Sequence, residues 1–350
     1  MDQLFMQRCL ELASLGSGNV APNPLVGSVI VFNNQIIGEG WHQKLGFAHA
    51  EVNAIASVSE ANIPLIKLAT LYVNLEPCAH FGKTPPCADL IIASGIQKVV
   101  IGMLDPNSMV AGKGIEKLRN AGVEVIIDVL KDECHLLNKR FIKGITQKKP
   151  YVILKWAQTV NGFLSPDASK ITKEEFEQQR HITGKWVQKL VHKWRTQEDA
   201  IMVGTNTALT DNPALNNRAW EGRSPCRVVL DKTLRLPNTL KLFDGTQKTF
   251  VLNASLNKET DNLVYLKLNF EEDWFSEALE KLYAQGVSSL VVEGGAQLLN
   301  HIISNNLWDE AIVFYSKSHL ADGIKAPNIG GKLFFHEDLG QVALFQYLNQ

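Results

Sequence analysis

The chain is constrained most tightly by two short segments, His49-Ala50-Glu51 and Pro77-Cys78-Ala79-His80-Phe81-Gly82-Lys83-Thr84-Pro85-Pro86-Cys87. Between them they hold one imidazole, two thiols and one carboxylate. A His and two Cys leave the fourth position of a tetrahedral Zn2+ open, as catalytic sites do and structural sites do not. Any fold for this chain must therefore bring His49, Cys78 and Cys87 to one point. It must also leave Glu51 beside them as a proton carrier and not as a ligand. A buried histidine with two unrelated thiols would not account for that carboxylate.

An H-x-E segment followed by P-C-x-x-C marks zinc nucleobase deaminases, in which the metal activates water. Here the second half departs from that spacing, because Ala79–Pro86 separates the two thiols. The segment P-C-x-H-x-G-x-T-P-P-C resembles the deaminase domain of the bifunctional riboflavin-biosynthesis deaminase/reductase family. The resemblance implies a cytidine-deaminase-like α/β/α sandwich and places Asn23, His42, His80, Lys83, Thr84, Asp105 and Asn107 around the substrate. Asn, Asp and Pro are also common in turns, and His80, Lys83 and Thr84 could equally form a solvated loop. Family members usually continue Asp-Pro-Asn with a second Pro, where this chain has Ser108.

The pattern around these segments agrees. Leu4, Phe5, Cys9, Leu12 and Leu15 predict a helix over 2–15. Ser28–Phe32, an Asn33-Asn34 turn and Ile36–Gly38 predict a hairpin. His49 and Glu51 fall at a helix start. Strands are predicted at 69–75, 98–102 and 123–127, with helices at 88–94 and 114–121 between them. This alternation gives a layered α/β domain.

Gly144–Pro150 reads as a linker, which divides the chain into 1–147 and 148–350. With 350 residues, two domains are expected. Strands are predicted at 151–157, 200–203, 227–231, 249–252, 288–292 and 311–315, and helices at 185–195 and 275–285. No G-x-G-x-x-G follows any of these strands. Glu293-Gly294-Gly295 instead reads as a strand, a glycine turn and a helix start, whose bare amides suit a phosphate. A plain strand-to-helix turn fits the pattern equally well.

Val203-Gly204-Thr205-Asn206-Thr207, Asp211-Asn212-Pro213, Leu215, Arg218 and Glu293-Gly294-Gly295 resemble the reductase domain of the same family. The resemblance implies a dihydrofolate-reductase-like α/β domain that uses NADPH. It implies cofactor contacts from Gln158, Thr183, Thr207, Asp211 and the run Gly295, Ala296, Gln297, Leu298, Leu299, Asn300 and His301. Substrate contacts would come from Arg195, Leu215, Arg218 and Glu293, the two arginines gripping a phosphate bidentately. Asn161, His181 and Asn212 depart from the residues usual there.

The expected function is zinc-dependent deamination of a phosphorylated ribosylaminopyrimidine, then reduction of its ribosyl chain to ribityl with NADPH. The alternative is a tRNA or free-base zinc deaminase with an appended reductase-like domain. A net charge of −1 argues against a nucleic-acid partner. No apolar run of roughly eighteen residues suggests a membrane span, and the first residues lack a signal-peptide pattern. Of five cysteines two are claimed by the metal, and Cys9, Cys134 and Cys226 are scattered and fit reduced thiols, so a cytoplasmic enzyme with a small-molecule substrate is expected. The oligomeric state is left open, a homo-oligomer included.

Overall fold

The computed structural model of the protein describes residues 1–81, 85–108 and 110–349. The chain forms two compact units, Met1–Lys148 and Lys149–Gln350.

In the first unit, helix α1 (Asp2–Ser14) precedes the hairpin β1 (Gly27–Phe32) and β2 (Gln35–Trp41). Asn33 and Asn34 both sit at positive φ, 48° and 61°, the geometry a tight hairpin turn requires. The chain continues through α2 (Ala50–Ala56), β3 (Thr70–Leu75), α3 (Cys87–Ala93), β4 (Lys98–Met103), α4 (Lys113–Asn120) and β5 (Glu124–Ile126). It closes with α5 (Lys131–Leu137) and α6 (Lys139–Gln147). The sheet order is β2-β1-β3-β4-β5, antiparallel across β1 and parallel from β3 to β5. Alternate side chains feed two cores. Val99 and Ile101 of β4 enter one with Ile91 and Leu118, whereas Val100 packs opposite with Met6 and Leu12 of α1. Helices therefore cover both faces, as the sequence implied.

Residues 144–147 are not a linker but the last turn of α6, and the left-handed Lys148 ends that helix. The polar residues that suggested a linker are the outer face of a short amphipathic helix.

The second unit begins with β6 (Tyr151–Thr159), β7 (Phe163–Ser165), α7 (Lys173–Gln179), α8 (Gly184–Gln197), β8 (Ala200–Val203), α9 (Thr205–Asp211) and β9 (Cys226–Leu230). Then come β10 (Thr249–Asn253), β11 (Lys258–Thr260), β12 (Leu263–Lys267), α10 (Trp274–Ala284), β13 (Ser289–Val292) and α11 (Ala296–Ser304). The chain ends with β14 (Glu310–Ser316), β15 (Ile324–Lys325), β16 (Lys332–Asp338) and β17 (Val342–Leu348). The main sheet runs β11-β12-β10-β9-β8-β13-β6-β14-β17-β16. The strands from β12 to β14 are parallel. Val152, Leu154 and Trp156 of β6 enter one core, and Tyr151 and Ile153 the other. Parallel strands align their carboxyl ends along one edge, where ligands of open α/β sheets bind. The residues following β6, β8, β9 and β13 all emerge there.

Candidate active sites

In the first unit, His49 is the N-cap residue of α2 and Glu51 lies in its first turn. Strand β3 delivers Glu76-Pro77-Cys78, and Cys87 opens α3. His49 Nδ1 lies 3.2 Å from Cys87 Sγ and 3.7 Å from Cys78 Sγ. The Cys87 amide donates to Cys78 Sγ at 3.3 Å. All three ligand atoms fall within 4.8 Å of one another. Two sulfurs and one imidazole nitrogen so close together are a zinc donor set with one position left for water.

The electrostatics point the same way. The Cys78 thiol is pulled down by its hydrogen bond with Cys87 and by His49, while that bond pushes the Cys87 thiol up. Glu51 is 3% exposed, and burial pushes its carboxyl up. A carboxylate whose proton affinity is raised in this way is suited to taking a proton and returning it.

Around this cluster the structure collects most of the expected pocket residues. The Asn23 amide donates to His42 Nε2 at 3.1 Å, and His42 Nδ1 donates to the Ala48 carbonyl at 3.1 Å, a tautomer assigned from these partners. The His42 and His49 rings meet edge to face at 5.7 Å. Burial raises the Asp105 carboxyl, against the pull of the Asn107 amide that it accepts at 2.8 Å. Lys83 and Thr84 lie outside the described residues.

Sequence reasoning passed over Asn74, Asn138 and Glu76. Asn74 is buried within an apolar strand and accepts the Gly27 amide at 2.8 Å. With Asn138 it pins Leu25 and hence the loop that carries Asn23. A polar side chain inside an otherwise apolar strand was the available signal.

In the second unit, Gly294 and Gly295 take φ of 157° and 84° between β13 and α11. A Cβ on Gly295 would stand 3.2 Å from Thr207 Oγ1, so the glycine turn and the start of α9 face each other closely. Asp211 pairs with Arg180 at 3.2 Å. Thr183 caps α8 through its backbone, and Gln158 accepts from Trp156 Nε1 at 2.7 Å.

The run from Gly295 to His301 does not act as one surface. The amides of the first helical residues have no intrahelical acceptor, but that of Leu299 already bonds Gly295 O. Leu298 and Leu299 turn their side chains into the core, and His301 stacks on Trp274 at 5.2 Å. The amides of Ala296 to Leu298 remain to face an anion.

Arg195 also differs from the expected phosphate clamp. Its Nη2 donates to Glu293 Oε2 at 2.7 Å and its Nη1 to the Asn216 carbonyl at 2.9 Å. Its Nε is buried without a partner among the described residues. Leu215 is 3% exposed at φ 48°, so its side chain belongs to the core. Arg218 is exposed, bonding Asn216 Oδ1 at 3.2 Å, while its amide donates to His192 Nδ1 at 3.3 Å.

Two of the departures have local reasons. Asn161 accepts from Thr159 and donates to the Leu320 carbonyl at 2.7 Å, a donation that aspartate could not make. Asn212 sits at left-handed φ 40° after α9, where asparagine is favoured, and accepts the Lys241 amide.

Two family models match this chain, one in each half. Residues 1–103 match the cytidine and deoxycytidylate deaminase zinc-binding region, and residues 150–317 match the RibD C-terminal domain. The riboflavin biosynthesis protein RibD of Aquifex aeolicus is 37% identical over 338 residues, covering 94% of this chain and 91% of the relative. The chain belongs to the RibD family. RibD of Escherichia coli is 34% identical over 331 residues, with 89% of this chain and 87% of that protein covered. The crystal structure of a diaminohydroxyphosphoribosylaminopyrimidine deaminase/5-amino-6-(5-phosphoribosylamino)uracil reductase from Thermotoga maritima superposes with a TM-score of 0.88. It is 35% identical, with 100% of this chain and 99% of that one covered. Acinetobacter baumannii RibD gives 0.86 at 32% identity over 100% and 99% of the two chains. The RibD family uses zinc in its deaminase half and NADPH in its reductase half, so the His-Cys-Cys cluster and the glycine turn lie in the halves that need them.

Proposed function

We propose that residues 1–147 carry the deaminase of this RibD-family enzyme and residues 148–350 its reductase, each acting at the residues described above. The protein is a bifunctional deaminase and reductase of riboflavin biosynthesis. Its first substrate is the phosphorylated 2,5-diamino-6-ribosylamino-pyrimidinone. The observation that carries the reading is the convergence of His49, Cys78 and Cys87 beside the buried Glu51.

His49, Cys78 and Cys87 would hold the zinc, which when bound would supply the Lewis acid that makes water nucleophilic at neutral pH. Glu51 takes a proton from that water and hands it to the departing amine. Water oxygen bonds to the ring carbon, the exocyclic C–N bond breaks, and ammonia leaves. Asn23, His42, Asp105 and Asn107 hold the ring and ribose, with His80 on the phosphate side.

In the second unit the amides of Ala296 to Leu298 receive the NADPH pyrophosphate at the glycine turn, with Gln158, Thr183, Thr207 and Asp211 along the cofactor. Arg218 grips the substrate phosphate. Arg195 orients Glu293 and offers Nε to the substrate. NADPH, when bound, would supply the hydride that reduces the anomeric ribose carbon; the bond from that carbon to the ring oxygen breaks and the oxygen takes a proton from water, giving the open ribityl chain. The substrate is a free small molecule, without a nucleic-acid or membrane partner. Among the described residues no helix is long and apolar enough to cross a membrane. A tRNA or free-base deaminase does not account for a relationship that runs through both halves of the chain.

Incubation of the purified protein with the phosphorylated diaminopyrimidine, with and without NADPH, followed by mass analysis, tests the reading. The deaminated product is expected alone without NADPH, and the ribityl product with it. Unchanged substrate under both conditions would refute it.

A further inference from the structure

Glu76 follows β3 directly and is 6% exposed. Its amide continues the sheet by donating to Met103 O at 2.9 Å. Among the described residues its carboxylate has four backbone partners. Oε2 accepts from the amides of Asp105 at 3.2 Å and Gly112 at 2.9 Å. Oε1 accepts from Gly114 at 2.9 Å and Ile115 at 3.4 Å. Gly112 stands at φ 81° ahead of α4, and a Cβ on Gly114 would run into the Pro77 carbonyl. The turn leading to Cys78 and the segment carrying Asp105 and Asn107 therefore meet across one side chain.

We propose that Glu76 is a positioning residue of the deaminase site: it fixes Asp105 and Asn107 relative to the Cys78 turn through four backbone amides. The inference rests on the deaminase reading above and extends it to a residue that touches neither metal nor substrate. Only a carboxylate satisfies this site. Each of its oxygens faces two N–H donors, so both ends must accept. A glutamine keeps one accepting oxygen and turns an NH2 toward the other pair of donors, which leaves those donors unsatisfied. Release of the Oε2 pair frees the Asp105 amide directly, and release of the Oε1 pair frees the start of α4 just behind that segment, while His49, Cys78 and Cys87 keep their own backbone supports.

The test uses the full-length protein. Glu76→Gln is expected to keep its zinc and its reductase activity on the already deaminated substrate. Its deaminase kcat/KM should fall about 100-fold, the scale of a misplacement near 1 Å, with most of the loss in KM. Placed on an Asn107→Ala background, the same substitution should cost much less, because both act through one segment. Gly112→Ala perturbs the tie from the other side, placing a methyl in open space but on a backbone that disfavours it. It should raise KM in the same sense, and it serves if Glu76→Gln fails to fold. Unchanged deaminase kinetics in Glu76→Gln, zinc lost in proportion to activity, or full additivity with Asn107→Ala would each overturn the proposal. A wild-type protein that releases no ammonia defeats the deaminase reading instead, so the two failures are distinguishable.

Discussion

Removing Arg195 should destabilise the second unit through Glu293. The two side chains are 12% and 10% exposed and meet at 2.7 Å. Burial alone pushes the Glu293 carboxyl up. The charges of Arg195 and Lys155 outweigh it and hold the group at about 2, from an ordinary value of 4.5. At about 1.4 kcal/mol for each tenfold change in proton affinity, that displacement is worth about 3 kcal/mol. Breaking one side of a buried pair independently costs about 3–5 kcal/mol, so the two routes agree. In a unit of this size, each kcal/mol moves Tm by about 2–4 °C, which gives a fall of roughly 6–12 °C for Arg195→Met. The pH dependence follows from the sign. A carboxyl held low when folded contributes its stability above the unfolded value near 4.5 and loses it as pH falls toward 2. Thermal unfolding of the full-length protein at several pH values reads both effects. The wild type should lose stability steeply over that window, and Arg195→Met should start lower and fall less. Arg195→Met/Glu293→Met should regain only part of the loss, since Lys155, which Glu293 also neutralises, then loses its counter-charge. An Arg195→Met protein with unchanged Tm and an unchanged acid limb would refute the reasoning.

Purified protein should carry about one zinc per chain, given the open three-ligand donor set, and Cys78→Ser/Cys87→Ser should carry almost none by metal analysis. Undiminished metal in that variant would remove the assignment. Arg218→Ala should raise the KM for the reductase substrate by roughly one to two decades, since a charged hydrogen bond is worth about 1.5–3 kcal/mol, and should leave the NADPH constant nearly unchanged. Gly295→Val should do the reverse, because any Cβ there crowds Thr207 on a backbone at φ 84°. Steady-state kinetics with each reactant varied in turn separates these, and an exchange of the two effects would mean the ligands have been assigned in the wrong order.

Much of this was legible because the chemistry is local in sequence. H-A-E at a helix start and P-C at a strand end name their own backbone settings, and the structure adds only that they meet. The alternation of strands and helices likewise gave both layered units. What stayed hidden depends on tertiary partners. Arg195 reads as a free cation until Glu293 and the Asn216 carbonyl are seen against it. Leu298 and Leu299 lie in a run that resembles a cofactor strip, yet helical geometry sends them to the core. Glu76 looks like one more acidic residue before a proline, and its four amide donors come from a segment far along the chain. Strand β16 was missed because its mostly exposed, mixed sequence lacks the apolar alternation that marked the others, and β17 was passed over although Val342 and Leu344 are buried.

The central claim is that two chemistries run in order at two separate sites, with Glu51 essential only to the first. NADPH oxidation by a Glu51→Gln protein tests it most directly. That protein should retain zinc, oxidise NADPH at the wild-type rate when given the deaminated substrate, and oxidise almost none when given the diaminopyrimidine, a deficit of about 100-fold or more. Brisk oxidation with the diaminopyrimidine, or none with the deaminated compound, would contradict the account.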